Sequence, residues 1–396
     1  MKRFIIFLTS FMMVFSFPVN MAEAEVLAPV PVSSITTVAE TKELSIEEAV
    51  QLARDSSREM WKLLDALEEI KVSRKQAKDA KELAETIMAM PLEVLSDNKI
   101  DITNDYVSKL MAKNGYYIVY ADTQTKEVEK NIEKYKIGIE IETKSLYYNA
   151  LIAEKSIEIN KANLNKLNEQ LRVITLKYNN GTATKSEVLN GQIAVQKAQT
   201  ELDSANDDLE MAKLNLLNKI NLPFSTVLIL KDKSLTYIPT KDLNLTASIE
   251  AAKLQRPEIL KANNALTLQE IETHVYTAYY TSNLRQNKAA KEKLKDAQLN
   301  VPQAYKNVEL DVRKNYLKLV ESERALVNMN KSVELAKELA RINKLLYANG
   351  MATSLDVLTA ETQLTEAEIG AYQMLVSYNI NKMMFDNSNL ITAQGQ

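Results

Sequence analysis

The chain is written twice. A shift of 169 residues lays Tyr178-Asn179-Asn180-Gly181-Thr182-Ala183-Thr184 over Tyr347-Ala348-Asn349-Gly350-Met351-Ala352-Thr353, and Glu187-Val188-Leu189 over Asp356-Val357-Leu358. The same shift pairs Tyr147 with Tyr316 and Glu154 with Glu323. Upstream, a shift of 199 sets Leu44, Ile46, Ala53 and Glu59 against Leu243, Leu245, Ala252 and Glu258. Two copies of one unit must therefore fold alike, and the unit is centred on a short polar turn between two long periodic segments.

Each turn reads as a helix stop followed at once by a helix start. In Asn180-Gly181 and Asn349-Gly350 the glycine supplies the left-handed conformation that closes a helix C-terminus. Thr184 with Glu187, and Thr353 with Asp356, then form Thr-x-x-acid caps for the outgoing helix. Outgoing segments carry Val188, Val195, Ala198, Leu202, Ala205, Leu209, Ala212 and Leu216, and in the second copy Val357, Ala360, Leu364, Ala367, Ala371, Met374 and Tyr378. Incoming segments carry Ile157, Leu164, Leu167, Leu171, Ile174 and Tyr178. Steps of three, four and seven predict coiled-coil seams, and the frequent Ala lets helices approach closely. The fold class expected is mostly α, built from tandem-duplicated long antiparallel helical hairpins.

Composition agrees and narrows the function. Only 7 of 396 residues are Gly, so long uninterrupted helices carry little propensity cost. With 49 Lys plus Arg against 52 Asp plus Glu the net charge is −3, which offers no basic stripe for nucleic acid. There is no Cys and one histidine, His274, so thiolate and multi-histidine metal sites and a Cys nucleophile are excluded. No enzyme, cofactor or metal centre is expected.

The ends and boundaries follow. Lys2 and Arg3, the apolar run Phe4 to Val19, and Ala22-Glu23-Ala24 read as an export signal over residues 1–24, cleaved after Ala24. Residues 25–43 read as a leader, 44–222 as the first hairpin repeat, 223–242 as a link, 243–389 as the second repeat and 390–396 as a tail. Within the first repeat, Ser45 with Glu48 predicts a capped helix start running toward Pro91, and a second long helix from near Thr123 is expected to break at Gly138. In the link, Val227 to Leu230 and Leu235 to Ile238 predict a small β-hairpin.

With the duplication, the Tyr-x-x-Gly turns, Leu222-Pro223 after the first copy and Arg256-Pro257-Glu258 at the start of the second, the chain resembles the TolC-type outer-membrane efflux proteins from roughly Leu44 to Asn389. The resemblance implies a homotrimer whose protomers each give two hairpins to a hollow α-barrel, an exported location in the cell envelope, and work with a periplasmic adaptor protein and an inner-membrane pump. It also implies a membrane β-barrel, to which each half gives a hairpin of strands. Here Tyr116 to Tyr120 and Val275 to Thr281 are the only strand-like runs at those places, too short for membrane strands of ~9 to 11 residues. A full barrel is therefore not expected.

The resemblance places a gate at the turns. Tyr347 matches its tyrosine, and Glu187 and Asp356 match its acidic positions, while Ala352 stands where an Arg is usual, so the charged latch is incomplete. Three copies of Asp356 about an axis make a cation-attracting ring; both acids are equally expected as plain helix caps. The tips Gly181-Thr182-Ala183 and Gly350-Met351-Ala352 match the adaptor-contact surfaces, and they equally fit ordinary turn chemistry.

Other candidates fail. Asp97, Asp101 and Asp105 have calcium-loop spacing, but Lys99, Ile102 and Ser108 occupy positions that need a ligand or a glycine. Asp207, Asp208 and Glu210 read as a solvated face, and Trp61, on an apolar stripe, reads as core. Two functions remain: a transport conduit, and an exported coiled-coil scaffold that conducts nothing.

Overall fold

The computed structural model describes residues 41–91, 94 and 106–392. The export signal, most of the leader, the Asp97 to Asp105 stretch and the last four residues of the tail lie outside the described residues. Strand β1 is Thr41–Leu44, across the boundary read between leader and first repeat. Helix α1 (Ile46–Asp55) starts on Ser45, whose hydroxyl accepts from Glu48 N while the Glu48 carboxylate accepts from Ser45 N at 2.8 Å, the capping box legible in the sequence. Helices α2 (Arg58–Ala89) and α3 (Tyr106–Lys113) follow, then α4 (Tyr116–Asn179) and α5 (Lys185–Lys219). Strand β2 (Val227–Leu230) opens the link, and the second repeat supplies α6 (Leu245–Gln255), α7 (Pro257–Tyr279), α8 (Arg285–Ala348) and α9 (Ser354–Asp386).

The long helices α4 and α8 keep the duplication to the residue. Adding 169 to the bounds of α4 gives 285 and 348, the bounds of α8, so both helices have 64 residues and extend ~96 Å. Adding 199 to the bounds of α1 gives 245 and 254, against 245–255 for α6. The cores correspond too: Ala53, Met60, Ile139, Ala150 and Leu216 of one buried cluster map by these shifts onto Ala252, Ile259, Val308, Leu319 and Phe385 of the other. Most seam positions face inward, with Val188, Ala198, Ala205, Leu216, Val357, Ala360, Leu364 and Tyr378 buried, whereas Tyr178, beside the turn at the end of its seam, is exposed.

Several expectations are corrected. Gly138 does not interrupt α4. The first helix breaks at Ser56-Ser57 instead, where Ser57 recaps α2 by accepting from Met60 N. That break resets the register: Met60 turns inward with Leu63 and Leu67 against the core, and Trp61 points outward, 72% exposed. The link forms no hairpin. Strand β2 pairs in parallel with β1, Thr41 opposite Val227 through Leu44 opposite Leu230, because the start of the chain offers Leu44 to complete the buried row of Leu228 and Leu230. The two strand-like runs are helical: Tyr116 to Tyr120 begins α4 after the left-handed Gly115, and Val275 to Tyr279 ends α7, with Val275 buried and Thr273 Oγ1 donating to Ala290 O at 3.1 Å.

Repeat-equivalent carboxylates hold the link. Glu154 pairs with Lys213 and Lys233, while Glu323 accepts from Tyr237 Oη at 2.8 Å and Thr240 N at 2.9 Å. Tyr147, fully buried, donates to Leu44 O at 3.0 Å and accepts from Asp232 N at 3.1 Å, pinning both strands to α4. Tyr378 of α9 donates to Ile238 O and so ties the later part of the link to the second half.

Candidate functional site: the paired helix turns

Both turns close as their residues dictate. Gly181 and Gly350 have φ of 77° and 75°, in the left-handed region. Thr182 N donates back to Lys177 O and Met351 N to Leu346 O, both at 2.8 Å, satisfying carbonyls that the helix end leaves open. The outgoing helices start on full capping boxes. Glu187 accepts from Thr184 N at 2.7 Å and Asp356 accepts from Thr353 N at 2.8 Å. The Thr353 hydroxyl also donates to Asp356 at 2.7 Å, and this bond, with the backbone one, lowers the Asp356 pKa. Glu187 and Asp356 are thus bound inside their own turns, and neither contact reaches Tyr347. Asp356 and Met351 are exposed, whereas Ala183 and Ala352 are half-buried.

Tyr347 meets the first hairpin by another route. Lys177 Nζ stands 3.9 Å from its ring centroid, a cation–π contact joining α4 to α8, and the Tyr347 hydroxyl is buried without a hydrogen-bond partner. Two turns into α9, Glu361 is buried and paired with Lys166 of α4 and Lys344 of α8. Sequence reasoning missed Lys177, Lys166, Lys344 and Glu361. One signal was available: an acidic residue between Ala360 and Leu364, on the edge of an apolar seam, needs a partner if the seam closes. Among the described residues no group of acidic or histidine side chains is arranged to hold a metal ion, and no helix is long and apolar enough to cross a membrane.

The sequence matches no family model and no curated protein. Its structure matches solved structures over most of both chains. A membrane protein from Pseudomonas aeruginosa aligns with a TM-score of 0.66 at 13% identity, over 87% of this chain and 90% of that one. The outer-membrane channel OprN aligns at 0.63 and 12%, over 89% and 91%. The outer membrane protein VceC from Vibrio cholerae aligns at 0.62 and 14%, over 87% and 95%. At such identities the likeness speaks to fold, and the doubled hairpin, its paired turns and its two equivalent cores make this chain's fold that of the TolC-type outer-membrane channels.

Proposed function

We propose that the chain is one subunit of a TolC-like exit duct, an efflux or secretion channel of a trans-envelope transport system, assembled as a homotrimer in the cell envelope. The observation that carries this reading is the apolar surface left along α8: Leu310, Leu317, Leu335, Leu339 and Ile342 are exposed, at steps of seven, four and three where the row is continuous. Among the described residues of one protomer no element covers that row, and copies packed side by side around an axis bury it. An open arc of two hairpins closed by its own copies encloses a lumen.

In that assembly the turns form the entrance. Asp356 and Glu187 ring it with carboxylate while capping their helices, Tyr347 ties neighbouring hairpins, and Gly181-Thr182-Ala183 and Gly350-Met351-Ala352 meet a periplasmic adaptor that leads to an inner-membrane pump. No catalysis is required of any of these residues. With the described residues at the other end helical, the duct works with a reduced barrel or none.

End views of the assembled protein by electron microscopy test the reading. A three-fold ring with an open centre is expected. A solid rod without a lumen would instead establish a non-conducting coiled-coil scaffold.

A further inference from the structure

The end of the molecule opposite the turns is unusually rich in tyrosine. The junctions α3 to α4 and α7 to α8 lie together there, and they gather seven of the chain's 17 tyrosines. Tyr106 packs on Tyr279 with centroids 5.2 Å apart, Tyr279 on Tyr280 at 4.8 Å, and Tyr280 on Tyr276 at 5.6 Å. Tyr116 packs on Tyr117 at 5.5 Å and on Tyr120 at 6.4 Å. Ordinary surface turns do not collect rings in this way, and a buried core would not leave Tyr120 48% and Tyr279 47% exposed beside an exposed Leu284.

The described junctions are net basic, with Asp122 of α4, paired with Arg74, and the exposed Glu292 of α8 at their flanks. Residues 106–120 and 276–291 contain Lys109, Lys113, Arg285, Lys288 and Lys291 and no Asp or Glu. The nearest acid on α7, Glu272, is already paired with Lys293 at 3.2 Å. Tyrosine has an apolar ring and a wet hydroxyl, and so favours the boundary between hydrocarbon and water. Basic residues beside it favour phosphate headgroups. Tyr116 and Tyr120 stack on each other and the other pairs meet tilted or edge-on, so ring faces are turned toward other rings, whereas hydroxyls, ring edges and Leu284 suit headgroups.

We propose that this tyrosine-rich, basic end is a seat for an anionic phospholipid surface, on which the helical body rests without spanning the bilayer. The inference does not depend on the arms enclosing a conduit, because the whole cluster lies within one protomer.

The test is flotation of the processed chain, after removal of the export segment, with phosphatidylcholine vesicles and with vesicles that also contain phosphatidylglycerol. Binding to the anionic vesicles, weakened by salt and weak on phosphatidylcholine alone, is expected. The pair Tyr120→Ser and Tyr279→Ser should reduce it about tenfold or more, and Lys113→Gln with Lys288→Gln by roughly fivefold per lysine. Tyr178→Ser, an exposed tyrosine at the opposite end, should change nothing. If circular dichroism shows that the tyrosine pair has lost helix, Leu284→Ser and the lysine pair decide the question. Several results would overturn the proposal: no flotation with either vesicle, flotation indifferent to these changes, retention by insoluble cell-wall polysaccharide alone, or loss of oligomer in the tyrosine pair with vesicle binding intact.

Discussion

Glu361 of α9, 3% exposed, faces Lys166 of α4 across 3.3 Å, so a buried carboxylate of the second hairpin is held by the first. Lys344 of α8 completes the cluster. Both lysine side chains are about half exposed and can return to water, whereas the carboxylate cannot. Replacing Lys166 and Lys344 together by Met should therefore destabilise by more than the sum of the single changes, by about 2 kcal/mol or more, since the last lysine removed leaves a buried charge unpaired. Urea unfolding of the four proteins of this cycle measures the coupling; additive losses would show that Glu361 is solvated after all.

The turn glycines give a second prediction. Nothing lies within 4 Å of a Cβ built on Gly181 or Gly350, so Gly181→Val and Gly350→Val meet no clash and should each cost about 1 to 2 kcal/mol from left-handed backbone alone. Gly191, by contrast, is helical, and a Cβ there would stand 3.0 Å from Leu171 Cδ1. The helix-propensity gain of ~1 kcal/mol for Gly191→Ala is opposed by that contact, so its melting temperature should stay near the parent's. The sequence alone, blind to Leu171, favours a gain.

How much could be read from the sequence follows from which forces are local. The turns, their capping boxes and the seams depend on residues within seven positions of each other, and the duplication makes each half a check on the other. The parallel pair of β1 with β2 joins residues 186 apart, and no local pattern distinguishes it from a hairpin. Trp61 was misplaced because two serines reset a helix register. The cluster at Glu361 lay hidden because the shift of 169 puts Gln192, Leu335 and Thr175 in the places of Glu361, Lys166 and Lys344, so the other repeat gives no echo of it. Glu187, Tyr347 and Asp356 were legible as turn residues, and Lys177 beneath Tyr347 was not.

Stability should fall on both sides of neutrality. Burial first of all raises the pKa of Tyr116, Tyr147 and Tyr378 from 10.0 to about 12. The folded chain holds these protons more tightly, so their contribution is complete below pH 10 and is lost as pH climbs toward 12. Asp356 is shifted downward by the Thr353 hydroxyl and backbone bonds, so its contribution is present above its unfolded value of 3.8 and is lost as pH falls through the lower folded one. Urea midpoints across pH should show both limbs. Tyr147→Phe should flatten part of the alkaline limb while costing about 1 to 3 kcal/mol at pH 7, because Asp232 N–H loses its acceptor.

Asp356→Asn separates capping from charge. The amide keeps an acceptor for Thr353, so the melting temperature should change little, while the ring of three carboxylates proposed for the entrance is removed. The cation-to-anion permeability ratio of the assembled duct should therefore drop toward unity. An unchanged ratio with a large loss of stability would assign Asp356 to capping alone.

In the proposed duct, two hairpins of one chain form an open arc that only its own copies close. Native mass measurement of the processed chain, without cross-linker, tests it most directly. Three times the mass of one chain is predicted, falling to one when Leu335 and Leu339 are replaced by Glu on the exposed row of α8. A parent protein that remains a stable monomer at micromolar concentration would contradict it.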